Sequence, residues 1–231
     1  MNRPRNDSPK DPDPFDEWID RACEADPLPP YVEEPLRPRG PPLSAGECRA
    51  AWDRLATFQT PHDFIQLTRA LCARCGSEEW FNRPHLKFLH DAYVLAEFVR
   101  LTPVEAVRLA GPIEQWPDGH VKVESKLHKV EITSTHGGRK LGQEYRGIQT
   151  MRMDPVENWV ERANSIPDYL RRTIEAKSKK HYGSPCWLIV YLNINEWGIR
   201  QAETESAIEA TKADFLNSFE AISVLWKDKL Y

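Results

Sequence analysis

The sequence predicts an α/β fold in which helices cover both faces of a sheet. Three observations carry that reading. Residues 186–194, CWLIVYLNI, are apolar at successive positions from Trp187 to Tyr191, as a central strand covered on both sides requires. Segments of helical period alternate with short β-branched runs along the chain. Val121, Val123, Leu127, Val130 and Ile132 supply two short neighbouring strands, with Ser125-Lys126 as the turn between them.

A length of 231 residues fits one domain with appendages and is enough to bury a proper core. The net charge of −4 offers no broad attraction to nucleic acid, although it leaves room for a local basic surface. Five cysteines, odd in number and irregularly spaced, do not form a disulfide framework and point to the reduced cytoplasm. The opening MNRPRNDSPKDPDP has no apolar core and is not a secretory signal. No apolar run approaches the roughly 20 residues that a membrane helix needs. The expectation is a cytoplasmic protein with no membrane association.

Residues 1–43 hold eleven of the nineteen prolines, interleaved with Asp, Glu and Arg, and are expected to be a disordered tail. Within it Phe15, Trp18, Ile19 and Cys23 share one helical face, which would dock on the body of the protein or on a protein partner. Residues 44–83 read as a helical extension. Ser44 and Glu47 form a capping box ahead of Cys48, Ala51, Trp52, Leu55 and Phe58, and Thr60-Pro61 opens a second helix carrying Phe64, Leu67 and Leu71. Cys72 and Cys75 form a C-x-x-C before Gly76, with His62, His85 and His90 nearby. No second cysteine pair completes a zinc set, so the pair reads as buried thiols.

Residues 84–231 carry the main domain. A helix over 84–101 places Leu86, Leu89, Tyr93 and Ala96 on one side, with His90 and Glu97 adjoining. Thr102-Pro103 ends it, residues 106–109 make a short strand, and the two strands above follow. Residues 134–142 hold three glycines and read as a loop, without the residue order of a phosphate-binding P-loop. Asp154-Pro155 starts another helix that Ser165 and Pro167 restart, after which Leu170, Ile174, Lys177 and His181 share a face. Beyond 186–194, Ile208, Thr211, Phe215 and Phe219 predict a last helix, and residues 222–226 a final strand.

The chemistry centres on Asp118, just after Pro117, and on Glu131-Ile132-Thr133. If their strands pair, two carboxylates approach each other, and they repel unless one is protonated or a cation sits between them, which suggests a divalent metal. Strand alternation puts Glu131 and Thr133 on one face and Ile132 on the other. Serine-hydrolase and zinc-protease signatures are absent, since neither Gly-x-Ser-x-Gly nor His-Glu-x-x-His occurs.

The order helix, strand, strand with Pro-Asp, strand with Glu-x-Thr, helix, strand resembles the PD-(D/E)XK nuclease superfamily over residues 84–194. That resemblance implies a restriction-endonuclease-like αβββαβ core. It implies that Asp118 and Glu131, with Glu97 on the preceding helix, hold Mg²⁺ or Mn²⁺, and that the substrate is DNA, with RNA left open. Thr133 stands where the family has lysine. It would hydrogen-bond the attacking water or merely pack, and a cation for the phosphate must come from elsewhere. Lys177 on the inward face of the next helix is the first candidate and Lys129, beside Glu131, the second; the alternative for Lys177 is to snorkel along the core into water. Arg139, Lys140 and Arg146 suit phosphate contacts, as do Arg171, Arg172, Lys179 and Lys180, although a solvated loop or helix face would use the same residues. A homodimer would suit an enzyme that cuts both strands. The rival expectation is a nuclease-like domain without catalysis, acting as a nucleic-acid-binding or protein-interaction module.

Overall fold

The computed structural model describes residues 40–41, 43–141, 156–180, 182, 184–194, 196, 198 and 200–231, with backbone only at 76–78 and 156–157. The tail helix around Trp18, the helix start at Asp154-Pro155, and Glu144, Tyr145, Arg146 and His181 lie outside the described residues.

Helix α1, Ala45–Leu55, begins at a capping box in which Ser44 Oγ accepts from the Glu47 amide at 3.3 Å. The Glu47 carboxylate in return accepts from the Ser44 amide at 2.9 Å. Ser44→Ala is expected to cost about 1 kcal/mol, read as a lower urea midpoint with an unchanged m-value. Helix α2, Pro61–Asn82, starts as its sequence indicates, with Thr60 as N-cap and Pro61 in the first turn. It does not stop at Gly76. Phe64, Leu71 and Cys75 are buried along its length, and that packing outweighs the roughly 1 kcal/mol that an internal glycine costs. Burial pushes the Cys72 thiol up to about 12, so the pair consists of free, protonated thiols inside a helix.

A 3₁₀ turn, Pro84–Leu86, leads into α3, Lys87–Leu101, whose Phe88, Leu89, Ala92, Val94, Leu95, Ala96, Phe98 and Val99 are all buried. A helix apolar on nearly every side must be central. It lies between α2 and a six-stranded sheet of order β1 to β6: Ala106–Leu109, Gly119–Val123, Lys126–Thr135, Trp187–Leu192, Ala221–Trp226 and Lys229–Leu230. Strands β1, β2 and β3 form an antiparallel meander, β3, β4 and β5 run parallel, and β6 returns antiparallel. The β2–β3 turn is Glu124-Ser125, one residue earlier than the sequence suggests, and both residues have positive φ (49° and 65°), as a type I′ turn requires.

Helix α4, Val156–Ser178, is the crossover between parallel strands β3 and β4, and it runs through Pro167 unbroken rather than restarting there. Helix α5, Gln201–Asp214, lies beside it and ends before Phe215. Two apolar layers result. Val121, Val130, Ile132, Ile189 and Leu225 face α1–α3, whereas Leu188, Val190, Ile222 and Val224 face Ile166, Leu170 and Ile174 of α4 and Ile208 of α5. The 44–83 extension is no separate lobe, because its Leu55, Phe64 and Leu71 enter the same core as α3. Among the described residues no helix is long and apolar enough to cross a membrane.

Candidate functional site

Alternation along β3 decides what its edge offers. Ile132 points into the α1–α3 core, so Lys129, Glu131 and Thr133 face the side that α4 crosses. Leu170 and Ile174 fix α4 on that side, both fully buried, and Lys177 follows Ile174 by three residues on the same face. Its ammonium therefore arrives on the strand. Lys177 Nζ donates to Glu131 Oε1 at 2.5 Å and to the Ile132 carbonyl at 3.3 Å, so it does not snorkel into water.

Glu131 is only 4% exposed. Its Oε1 also accepts from the Tyr182 hydroxyl at 2.9 Å. Burial, and then that bond to a carboxylate, push the Tyr182 hydroxyl well above the usual phenol range, so it serves as a neutral donor. The Tyr182 ring stacks on Trp116 with centroids 5.5 Å apart, which fixes the segment after α4 against the one before β2.

Asp118 stands immediately before β2, and its Oδ2 accepts from the Ile132 amide at 2.7 Å. The carboxyl thus reaches the residue next to Glu131. Burial raises it from the ordinary 3.8 to about 6, with the negative charges of Glu131 and then Asp91 adding to the rise. The Ile132 amide and Lys177 act in the opposite sense without cancelling it.

The acid that α3 brings into the field of Asp118 is Asp91, not Glu97. Asp91 is backed by His90, whose Nδ1 lies 3.5 Å from its carboxylate. Glu97, expected at this site, is instead held by Arg100 at 2.7 Å and Arg69 at 4.0 Å, and lines a different cleft with Asp228. Six residues on a helix turn the side chain through about 240°, so the two acids cannot share one direction. Lys129 is also committed elsewhere, with Nζ 2.9 Å from Ser184 Oγ and 4.5 Å from the centre of the Trp116 ring. Thr133 is half-buried and lines a groove against α4. Arg139 and Lys140 follow β3 in a turn closed by the Arg139 amide on the His136 carbonyl, apart from the hydrogen bonds that join Asp118, Glu131 and Lys177.

Sequence reasoning missed Asp91 and Tyr182. An acidic residue on a helix buried nearly all round was a usable signal for Asp91. Tyr182 gave none.

The donors gathered here are all oxygen: the Asp118 and Glu131 carboxylates and the Ile132 carbonyl. Among the described residues no three His, Cys, Asp or Glu side chains are grouped to hold an ion by themselves. Mg²⁺ does not demand that, since it is commonly held by one or two carboxylates together with substrate phosphate and water. The Lys177 ammonium already bridges two of these donors, Glu131 Oε1 and the Ile132 carbonyl, as a cation would, and an all-oxygen set is the kind that suits a hard divalent ion. Compared with protein-family models, curated proteins and solved structures, the chain matches none.

Proposed function

We propose that this chain is a divalent-metal-dependent nuclease that hydrolyses phosphodiester bonds of DNA, built on a restriction-endonuclease-like core. The observation that carries the reading is Lys177 Nζ at 2.5 Å from Glu131 Oε1. On this reading α4 supplies the lysine missing from the Glu131-Ile132-Thr133 strand, beside a carboxylate whose neighbour Asp118 is raised to about 6. The succession α3, β1, β2, β3, α4, β4, with an antiparallel meander passing into parallel strands, supports the proposed core.

Asp118 and Glu131 would hold the ion, with Asp91 adding negative charge behind them. Bound there, Mg²⁺ or Mn²⁺ supplies positive charge to the phosphoryl oxygens and acidifies water. The chain's own residues do the rest. Lys177 brings a fixed cation to the charge that develops on the phosphate, and Tyr182 holds Glu131 in place. One water is consumed: its oxygen bonds to phosphorus, one P–O ester bond breaks, and the proton it loses ends on the departing oxygen.

The test is purified full-length protein with Mg²⁺ or Mn²⁺ on linear, circular and single-stranded DNA and on RNA, alongside Glu131→Gln. Metal-dependent cleavage of DNA, reduced about a thousandfold in the variant, is the expected result, since each factor of ten corresponds to about 1.4 kcal/mol. Cleavage that survives Glu131→Gln sinks the site. No cleavage with any metal or substrate makes the domain a binding module instead.

A further inference from the structure

Between β3 and α4, next to the Glu131–Lys177 pair, lies an open groove of about 330 Å³. Its cations are Arg172, Lys177 and Lys180, and its hydroxyls come from Thr133, Ser134, Tyr169 and Thr173. Among the described residues no carboxylate lines it. Three other clefts differ, in a chain with 35 acidic and 31 basic residues. One carries Glu97 and Asp228, another Glu220, a third Asp63. A site lined by hydrogen-bond donors and positive charge, without an acid, selects an anion with several acceptor oxygens.

The cations of α4 and of the turn that follows it divide into two sets. Arg171 is paired with Asp214 of α5, and Lys179 with Glu175 at 2.7 Å, so both are neutralised. Arg172 and Lys180, both exposed, have no acidic partner among the described residues. Both line the groove with Tyr169, Thr173 and Ala176, Lys180 standing two residues past the end of α4, and eight residues at a helical rise would span about 12 Å. Over that axial length one strand of a duplex presents roughly three or four phosphates. Lys177 lies between them in sequence.

We propose that this groove is the track for the sugar-phosphate backbone of the strand that is cut, with Arg172 and Lys180 binding phosphates on either side of the one presented to Glu131 and Lys177. The proposal rests on the nuclease reading for which phosphate is cut, but not for the binding itself. Contacts of this kind position the strand without reading its bases. The preference of the groove is therefore for nucleic-acid backbone, irrespective of sequence.

Full-length wild type, the Arg172→Ala/Lys180→Ala double variant and Lys179→Ala are to be titrated with a fluorescent DNA oligonucleotide, single-stranded and duplex. The buffer contains EDTA, and salt is varied. The double variant is expected to bind at least tenfold more weakly, with a log–log salt slope about 2 smaller, or about 1 for each lost phosphate contact. Lys179→Ala should match wild type in both. Unchanged affinity and slope in the double variant overturn the track, as does a wild type that binds no oligonucleotide. If the slope changes as expected but no metal ever supports cleavage, the track stands and the nuclease reading falls. If wild type cleaves and the double variant binds and cleaves equally well, the reverse holds.

Discussion

Asp118→Asn is expected to make the protein more stable at pH 7.5 while removing its response to metal. The Asp118 carboxyl is raised from 3.8 to about 6, chiefly by burial and then by the charges of Glu131 and Asp91. A carboxyl raised on folding binds its proton more tightly in the native state. Its cost is therefore absent below pH 3.8, grows between 3.8 and 6, and is complete above 6. The gap between 3.8 and about 6 converts to about 3 kcal/mol at neutral pH. Asparagine carries no charge and its amide oxygen can still accept from the Ile132 amide.

The melting temperature of Asp118→Asn should therefore exceed that of wild type by roughly 6 to 12 °C at pH 7.5, at about 2–4 °C per kcal/mol for a domain of this size. The difference should shrink toward zero near pH 4. Mg²⁺ or Mn²⁺ at a hundredfold excess over its dissociation constant should stabilise wild type by about 2.7 kcal/mol and the variant hardly at all. A variant that melts below wild type at pH 7.5 would refute the raised carboxyl. Equal stabilisation of both proteins by metal would refute Asp118 as a ligand. A buried carboxylate that costs stability at the pH of use is a candidate functional group, and the proposed cation would offset that cost.

Much of this arrangement was legible because its signals are local. Ser44 with Glu47, and Thr60 with Pro61, announce helix starts over three or four residues. The run from Trp187 to Tyr191 announces a central strand, and observed β4 pairs on both edges. Strand alternation puts Glu131 opposite Ile132, and the helical period puts Lys177 on the inward face of α4. What stayed hidden depends on contacts between distant residues. Choosing Asp91 over Glu97 requires knowing how α3 crosses the sheet, and both acids are plausible until that crossing is fixed. Tyr182 reaches Glu131 from 51 residues away through a segment without periodicity. Strand β6 has two residues, too few for an alternating pattern, and is held by the Lys227-Asp228 turn, whose two residues both have positive φ. Gly76 misled because a local helix-breaking tendency lost to the packing of α2 against α3.

Lys177→Met tests the other half of the site and should be strongly destabilising. The Lys177 side chain is 17% exposed and that of Glu131 is 6% exposed, so their ion pair is largely removed from water. Removing the amine leaves a buried carboxylate beside Asp118 with, among the described residues, the Tyr182 hydroxyl as its remaining side-chain hydrogen-bond partner. Breaking a buried pair in this way costs about 3–5 kcal/mol, because the surviving charge keeps its desolvation penalty and loses its compensation. Urea unfolding at pH 7.5 should register that loss as a lower midpoint. Glu131→Gln/Lys177→Met removes both charges and should recover most of the stability, giving a coupling energy well above the 0.3–0.5 kcal/mol scatter seen between independent sites. On the proposed function it should not recover cleavage, since the double variant lacks both the carboxylate proposed to hold the metal and the cation proposed for the phosphate. If Lys177→Met unfolds at the wild-type midpoint, the ammonium rests in solvent and the lysine of the proposed mechanism has to be sought elsewhere. Lys129 is then the next to vary, because it lies on the same face of β3 and its hold on Ser184 is a single exchangeable hydrogen bond.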